Sequence, residues 1–172
     1  MTKNEVHWYI ALTKSCQERK AAEALAALGE EFWFPVRKVR RKWSDRMKTV
    51  MVPVLPRMIF VRADDAHRRE LTSRVYGICA WMFDSANKAP AIVRDCDFEN
   101  FRDFVNGVEV PVEVVPGRYA AGDRVEIVRG PLAGRIYELV SVDDRRCLAV
   151  HLGSSATALF DFPLGDLKKI EN

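Results

Sequence analysis

The feature that most constrains the fold is the apolar run at residues 50–62, Val-Met-Val-Pro-Val-Leu-Pro-Arg-Met-Ile-Phe-Val-Arg. Its β-branched side chains favour buried strands, because such side chains pack well on a pleated surface. Pro53 and Pro56 cannot donate to a strand ladder, so they predict two strands, residues 49–52 and 58–62, with a bend between them. Directly upstream, residues 37–48 hold seven Lys or Arg and one Asp. The sequence therefore predicts a buried strand that follows a long, basic, partly exposed hairpin over residues 36–52.

Local signals place further elements around this run. Residues 6–14 and 31–34 have strand character, and residues 16–28 have the apolar spacing of a helix. Ser15 and Glu18 predict a capping box at the start of that helix, and Gly29 predicts its end. Asp64 and Asp65 predict the start of a second helix that continues to about residue 74. A strand is expected at residues 78–83.

A third helix is predicted from Asp95, because Phe98, Phe101, Phe104 and Val105 follow helical spacing. From residue 119 onward the pattern changes to short strands with turns, at residues 124–128, 135–142, 147–152 and 158–162, which is typical of a small barrel. The predicted fold class is α+β, with an N-terminal α/β sandwich whose antiparallel sheet is flanked by helices, followed by a small all-β barrel. The predicted domains are residues 1–106 and 119–172, joined by a linker at 107–118.

Composition narrows the function. Residues 1–106 carry 19 Lys and Arg against 14 Asp and Glu, a net +5, whereas residues 107–172 carry 8 against 10, a net −2. The first part is therefore the one expected to meet a polyanion. No apolar run reaches the ~18 residues of a membrane span, and the N-terminus lacks a secretory core, which predicts a cytoplasmic protein.

The chemistry-bearing side chains are scattered. The four cysteines occur singly, which favours buried reduced thiols, and the three histidines have no zinc spacing. No phosphate loop, catalytic triad or paired carboxylates stand out. We therefore expect no metal, no cofactor and no enzymatic activity.

Two groups of residues carry a family resemblance. Residues 121–134, Ala-Gly-Asp-Arg-Val-Glu-Ile-Val-Arg-Gly-Pro-Leu-Ala-Gly, resemble the KOW motif, with glycines placed for tight corners. The order of His7-Trp8-Tyr9, the run at 53–62, Gly77 and Ala89-Pro90-Ala91-Ile92-Val93 resembles the NusG N-terminal domain. The resemblance covers roughly residues 6–170, and residues 53–63 look closest to the specialised UpxY/RfaH-like paralogues.

The resemblance implies a non-enzymatic transcription elongation and antitermination factor, operon-specific in the specialised members. Such a factor docks on the clamp helices of the RNA polymerase β′ subunit, bridges toward the β subunit, and suppresses pausing or termination. The residues that match the docking patch are Trp8, Tyr9, Leu55, Met58 and Phe60. Aromatic and methionine side chains suit such contacts, although the same residues could instead belong to the core.

Specialised members also contact the non-template DNA strand. The matching residues here are Lys14, Gln17, Arg19 and Lys20, with Arg74 as a further candidate. The charge of the basic hairpin, with Arg40, Arg41 and Lys42, predicts that it lies along upstream DNA or polymerase. Basic side chains pair with phosphates, but the alternative is a merely solvated helix face and a soluble hairpin. Trp43 offers a face for stacking beside the hairpin cations.

The sequence also departs from the family pattern. Arg57 and Met58 stand where relatives have a glycine and an aromatic residue, and Tyr137 stands where many have glycine. The segment that starts at His151 replaces one that presents a phenylalanine to Rho or to a ribosomal protein, the two partners expected for the KOW domain. We expect a monomer with no membrane partner. A ribosome- or RNA-binding KOW protein is the alternative function.

Overall fold

The structure, a computed structural model, describes residues 5–116, 122–154 and 156–170. The chain divides into two compact units, residues 1–82 and residues 83–172. The predicted domains instead end and begin around residues 107–118, and this three-part division stays a prediction. Residues 117–121, which include the end of the predicted linker and the start of the predicted barrel domain, lie outside the described residues.

The first unit combines an antiparallel sheet with two helices and a separate two-stranded ribbon. Its elements are β1 (His7–Thr13), α1 (Glu18–Ala27), β2 (Glu31–Trp33), β3 (Val36–Trp43), β4 (Arg46–Pro53), β5 (Met58–Ala63), α2 (Asp65–Arg74) and β6 (Ile78–Trp81). Within this unit the sheet has the order β2-β5-β1-β6. The apolar run thus supplies a central strand, as its composition predicts.

One face of this sheet packs against both helices. Ile59 and Val61 of β5 meet Ala21 and Leu25 of α1 and Leu71 of α2, and all five are buried. Their alternation along β5 follows the two-residue period of a strand. Burial of each large aliphatic side chain contributes roughly 1.5–3 kcal/mol, so this cluster anchors the helices to the sheet.

Of the two predicted helix starts in the first unit, the one at α2 is confirmed and the capping box at α1 is not. The carboxylate of Asp64 accepts a hydrogen bond from the backbone N–H of His67 at 2.8 Å, which confirms the predicted start of α2. The capping box at α1 is wrong, because Gln17 is the N-cap residue and makes no capping bond through its side chain. Ser15 lies in a turn with Cys16, whose φ is +58°, and this turn separates it from the helix.

The basic stretch forms the predicted hairpin. Strands β3 and β4 pair from Val36 opposite Pro53 to Trp43 opposite Arg46, with a turn at residues 44 and 45. Most of its side chains are exposed. We call this two-stranded element, residues 36–53, the basic ribbon.

The second unit contains one long helix and a six-stranded antiparallel sheet. Its elements are β7 (Phe83–Asp84), β8 (Ala89–Pro90), β9 (Ile92–Val93), α3 (Asp95–Gly107), β10 (Val112–Pro116), β11 (Asp123–Ile127), β12 (Ile136–Val142), β13 (Arg145–Leu152), β14 (Ala156–Phe160), a 3₁₀ turn (Leu164–Asp166) and β15 (Leu167–Lys169). The sheet order is β10-β14-β13-β12-β11-β15. Strand β10 lies inside the predicted linker, where it pairs with β14.

Helix α3 packs on this sheet through the phenylalanines that predicted it. The ring centroids of Phe104 and Phe160 are 3.9 Å apart, and those of Phe101 and Phe160 are 5.8 Å apart. Tyr137 meets Phe104 edge to face at 5.1 Å. The predicted fold class is confirmed: an α/β part with an antiparallel sheet is followed by an all-β sheet.

The cysteines depart from expectation. Cys16, Cys79 and Cys96 are exposed, and Cys147 alone of the four is buried; all four are free thiols. Isolated cysteines in periodic segments predict burial, but Cys16 lies in a turn and Cys96 in the first turn of α3. Three accessible thiols are therefore available as chemical probes.

Candidate nucleic-acid interface and partner-binding residues

Most of the residues predicted to dock on a protein partner are buried. Leu55 is 2% exposed and Phe60 is 0% exposed, and Trp8 and Tyr9 are also buried, whereas Met58 is half-buried. Phe60 packs on Trp33 with ring centroids 5.4 Å apart. Of the five, Met58 therefore offers the largest relative exposure to a partner in this conformation, and the docking role of the set stays a prediction.

Tyr9 has a structural role in the first unit. The guanidinium of Arg68 lies 5.5 Å from the ring centres of both Tyr9 and Trp81, and the two rings meet edge to face. Arg68 itself is buried and donates to Asp65 at 2.7 Å. Burial is the main cause that raises the pKa of Tyr9, with the negative charge of Asp65 adding to it. The arrangement ties α2 to the sheet.

The basic ribbon has two different faces, because residues paired across the strands share a face. One face carries Arg41 opposite Lys48 and Trp43 opposite Arg46. Trp43 is 56% exposed, with the ammonium of Lys48 at 5.4 Å from its ring centre. An exposed indole among cations is suited to stacking with a base whose phosphates meet the neighbouring charges.

The opposite face of the ribbon alternates cations with methionines. Lys38 pairs with Met51 and Lys42 with Met47, and Arg40 lies between them along β3. All of these side chains are exposed. The predicted residues Arg40 and Lys42 therefore share a face, whereas Arg41 points to the face of Trp43.

A second group of predicted residues gathers at the turn before α1. The backbone N–H of Lys14 donates to the carbonyl of Gly77 at 2.8 Å, and its ammonium lies 4.9 Å from the ring centre of Tyr76. Tyr76 is 69% exposed. Gln17 lies against Gly77, whose φ of +108° would strain any residue that carries a Cβ atom.

The remaining predicted cations are exposed, but one of them, Arg74, already forms an ion pair within its own helix. Arg74 donates to Glu70 one helical turn away at 2.8 Å, so its charge is partly compensated. Lys20 is exposed on α1. Arg19 of α1 and Arg41 of the ribbon line one cavity, so the structure brings together two residues that are 22 positions apart in the sequence.

This cavity, of about 460 Å³, is lined by the turn before α1, the base of the ribbon and the segment that precedes β5. Apolar side chains supply most of its wall, and three polar or charged residues complete it beside a cysteine: Phe34, Val36, Met51, Val52, Pro53 and Pro56, with Glu18, Arg19, Arg41 and Cys16. We call it the ribbon-base cavity.

Glu18 is the unexpected member of this cavity. Only 8% of it is exposed, and its Oε1 accepts a hydrogen bond from the backbone N–H of Arg57 at 2.9 Å. Arg57 has a φ of +65° and donates from Nε to the carbonyl of Thr13 at 3.0 Å. An arginine therefore occupies a left-handed backbone position, and the buried side chain of Glu18 helps to hold it there.

Sequence reasoning missed Tyr76 and Glu18 as candidate functional residues. Tyr76 directly precedes Gly77 at a predicted turn, and turns lie at the protein surface, so its exposed ring could have been predicted. Glu18 could not, because its partner lies 39 residues away along the chain.

In the second unit, the segment that departs from the family pattern is internally bonded. The ring of His151 contacts the Glu138 carboxylate at 3.1 Å through Nε2 and the Thr157 hydroxyl at 3.1 Å through Nδ1. These contacts occupy both ring nitrogens within the sheet. Gly130 and Gly134 have φ of +87° and +84°, which confirms the predicted tight corners of the glycine motif.

Within residues 5–116, 122–154 and 156–170, there is no cluster of three or more His, Cys, Asp or Glu side chains placed to hold a metal ion. None of the helices in those same ranges is long and apolar enough to cross a membrane.

Comparison with known proteins gives one family. The sequence model described as "NusG: Transcription termination factor nusG" matches residues 6–102, more than half of the chain. Among curated proteins, none matches the sequence significantly.

Solved structures give matches along nearly the whole chain at low identity. One, described as "Domain interaction in Thermotoga maritima NusG", is 20% identical, covers 97% of this chain and 98% of its own, and has a TM-score of 0.48. Another, described as a crystal structure of the MjSpt4:Spt5 complex in conformation A, is 16% identical, covers 96% and 99%, and has a TM-score of 0.28.

Proposed function

Because the chain belongs to the NusG family of transcription factors, we propose that it is a transcription elongation and antitermination factor that acts by binding and not by catalysis. In this proposal it docks on the β′ clamp helices of RNA polymerase, reaches toward the β subunit, and holds the non-template DNA strand. The observation that carries the proposal is the exposed basic ribbon next to the cations of α1, on the part of the chain that the family model matches.

The ribbon supports nucleic-acid contact through its geometry. A two-stranded antiparallel element of eight residues per strand reaches about 27 Å, at about 3.4 Å per residue, and carries positive charge on both faces. Such a projecting, cationic element follows a phosphate backbone without the need for a deep site. Sequence choice then depends on base contacts elsewhere.

Docking on polymerase requires that the predicted contact residues be accessible to a partner. Trp8, Tyr9, Leu55 and Phe60 are buried, so direct contact through them requires that they become accessible, whereas Met58 is already half-exposed. We propose Met58 as the first contact of the docking patch. Methionine adapts to an irregular partner surface, which suits contact with a pair of helices.

The specialised, UpxY/RfaH-like role and the KOW identity of the second unit belong to the same proposal. The corners at Gly130 and Gly134 and the short antiparallel strands support a KOW domain. Rho and a ribosomal protein are the partners that such a domain would meet. The contacts of His151 within the sheet argue against a free, presented side chain at that position.

Co-purification with polymerase tests the proposal. Purified tagged protein is mixed with core RNA polymerase, and retention is compared for the wild type, Met58→Ala and the matched control Met47→Ala in the ribbon. We expect Met58→Ala to reduce retention about tenfold, the loss of one well-packed interface side chain, and Met47→Ala to leave it near the wild-type level. Tryptophan fluorescence checks that both variants stay folded.

Two outcomes would contradict the proposal. Wild-type protein that does not retain polymerase removes the elongation-factor role altogether. Salt-sensitive binding to structured RNA without polymerase would instead favour a ribosome- or RNA-binding protein. Equal retention of wild type and Met58→Ala would remove only the docking patch.

A further inference from the structure

We propose that a cavity within the second unit binds a small zwitterion, an α-amino acid with an aliphatic side chain. The cavity has a volume of about 270 Å³ and is lined by the start of α3 and by strands β11, β12 and β13. We call it the helix–sheet cavity. The inference goes beyond the proposed function, because none of the lining residues belongs to the basic ribbon, to α1 or to the predicted docking patch.

On the helix side of the cavity, the charges already compensate each other. Arg94, Asp97 and Asn100 follow one another at intervals of three residues, and all three line the cavity. Arg94 donates from Nε and Nη2 to the two carboxylate oxygens of Asp97, at 2.8 and 3.0 Å. Asn100 is exposed, and its side-chain amide forms no hydrogen bond within the described part of the chain. This wall therefore offers a neutral amide and a closed ion pair.

On the sheet side, one cation and one carboxylate oxygen remain available. Arg124 of β11 lies opposite Glu138 of β12, so their Cβ atoms are about 5 Å apart. Arg124 is exposed and forms no ion pair among the described residues, with Glu138 or with any other carboxylate. Glu138 instead contacts the ring of His151 through Oε2 at 3.1 Å, which leaves its Oε1. A ligand that carries both an anionic and a cationic group can satisfy these neighbours together.

A buried hydroxyl adds a further donor to the cavity. Tyr137 lines the cavity and is 6% exposed, and its hydroxyl oxygen is buried without a hydrogen-bond partner among the described residues. Burial is the main cause that raises the pKa of Tyr137, so the phenol keeps its proton at neutral pH. A buried donor without a partner is unfavourable, so the cavity favours an occupant with an acceptor oxygen.

The charge of the lining decides between a zwitterion and a simple anion. Two arginines, Arg94 and Arg124, balance two carboxylates, those of Asp97 and Glu138, so the lining has no net formal charge. A phosphate would bring negative charge that no cation of the lining balances. An α-amino acid is neutral overall, and its carboxylate can accept from a guanidinium while its ammonium donates to a carboxylate.

The size and the remaining walls of the cavity favour a short aliphatic side chain. The volume of about 270 Å³ lies just below the usual range of sites for drug-sized ligands, which starts at about 300 Å³. No aromatic face is exposed in the lining, because the one aromatic residue, Tyr137, is buried. The other apolar lining residues are aliphatic: Ile136, Ala149 and Val150. Leucine and valine are therefore suitable probes.

Calorimetric titration of the full chain tests the charge requirement. L-Leucine is compared with L-leucinamide, which lacks the carboxylate, with 4-methylpentanoate, which lacks the amino group, and with inorganic phosphate. We expect L-leucine to bind about tenfold more tightly than each of the other three, the value of one charge-assisted hydrogen bond.

Two results of this titration would overturn the inference. Binding of 4-methylpentanoate or phosphate as tight as that of L-leucine would mark a plain anion site. Absence of binding by both L-leucine and L-valine at about 20 mM, well above a Kd of about 1 mM, would leave no amino-acid site.

Variants locate the bound amino acid. Arg124→Gln and Glu138→Gln should each weaken the binding of L-leucine about tenfold, since each removes one charged partner. Arg146→Gln is the matched control, because Arg146 is exposed at the start of β13 and does not line the cavity. Circular dichroism checks that all three variants stay folded. Unchanged affinity in Arg124→Gln or in Glu138→Gln overturns the inference.

Tyr137→Phe separates a role in binding from a role in folding. It removes only the hydroxyl that lacks a partner, so the melting temperature without ligand should not fall. The affinity for L-leucine should nevertheless drop several-fold, because the ligand carboxylate loses a buried donor. Equal affinity of Tyr137→Phe and the wild type would overturn the binding geometry that the inference requires.

Discussion

Arg57 provides a direct test of the backbone at the turn before β5. Its φ of +65° lies in the left-handed region, which costs a residue with a Cβ atom about 1–2 kcal/mol relative to glycine. Glycine in turn loses about 0.5–1 kcal/mol through the greater freedom of the unfolded chain. Arg57→Ala and Arg57→Gly both remove the bond from Nε to the Thr13 carbonyl, so that loss cancels in their comparison. We expect Arg57→Gly to be the more stable of the two by about 1 kcal/mol.

Arg62 supplies the matched control for this prediction. It lies in β5 with extended backbone and contacts Glu31 through its guanidinium. Glycine in a strand is less stable than alanine by about 0.5–1 kcal/mol, so the order of the two variants should reverse at this position.

Urea unfolding followed by tryptophan fluorescence measures both pairs. The four tryptophans, residues 8, 33, 43 and 81, all belong to the first unit, so the signal reports the unit that contains both arginines. If Arg57→Ala proves as stable as Arg57→Gly, the left-handed conformation is not the source of the cost and the reasoning is refuted.

Three further predictions concern buried and titrating groups. Tyr137→Phe should raise the melting temperature in calorimetry, because the Tyr137 hydroxyl is buried without a hydrogen-bond partner among the described residues, and its removal gains about 1 kcal/mol; a lower melting temperature would contradict this. The Glu30 carboxylate accepts a hydrogen bond from His67 and raises the pKa of His67. The protonated histidine therefore stabilises the folded protein fully below the ordinary histidine pKa of about 6.5, and this contribution is lost as the pH rises through the folded-state pKa. Urea midpoints at about pH 5.5 and about pH 8.5 should therefore differ more for the wild type than for His67→Gln. The Ser154 hydroxyl is the main group that lowers the pKa of Asp84. The stability lost in Ser154→Ala should therefore be largest at neutral pH and shrink as the pH falls through the folded-state pKa of Asp84. Acid titration of the circular dichroism signal of both proteins measures this difference.

Much of the fold could be predicted because its signals are local. Each of these signals involves only residues that are close in sequence: the cap at Asp64, the end of α1 near Gly29 and the spacing of the phenylalanines in α3. In the apolar run, Pro53 is the last residue of β4 and Pro56 lies between β4 and β5, so the break between the two strands is also a local signal.

What sequence could not provide depends on distant partners. Glu18 fits a capping box by spacing, yet its carboxylate bonds an amide 39 residues away, and no local pattern encodes that choice. Strand β10 lies next to prolines that are typical of a linker, and its strand character comes from pairing with β14 more than 40 residues later.

The candidate site likewise contains residues whose exposure sequence could predict and residues whose exposure it could not. Strand alternation puts Ile59 and Phe60 on opposite faces of β5, but it does not tell whether one face or both are covered. Both residues are fully buried, so a pattern that suits a docking surface also describes a strand covered on both sides. The exposure of the ribbon cations is easier to predict, because Lys and Arg side chains are almost never fully buried unless they are paired.

The basic ribbon also bears on how such a chain can diversify. Its side chains are mostly exposed and add little to the cluster around Ile59 and Leu71, so exchanges along it leave the stability of the first unit nearly unchanged. Mutational drift can therefore alter the charge pattern of residues 37–48 freely while the scaffold persists. A gene duplicate with this architecture can acquire a new target sequence through its hairpin before any core residue has to change.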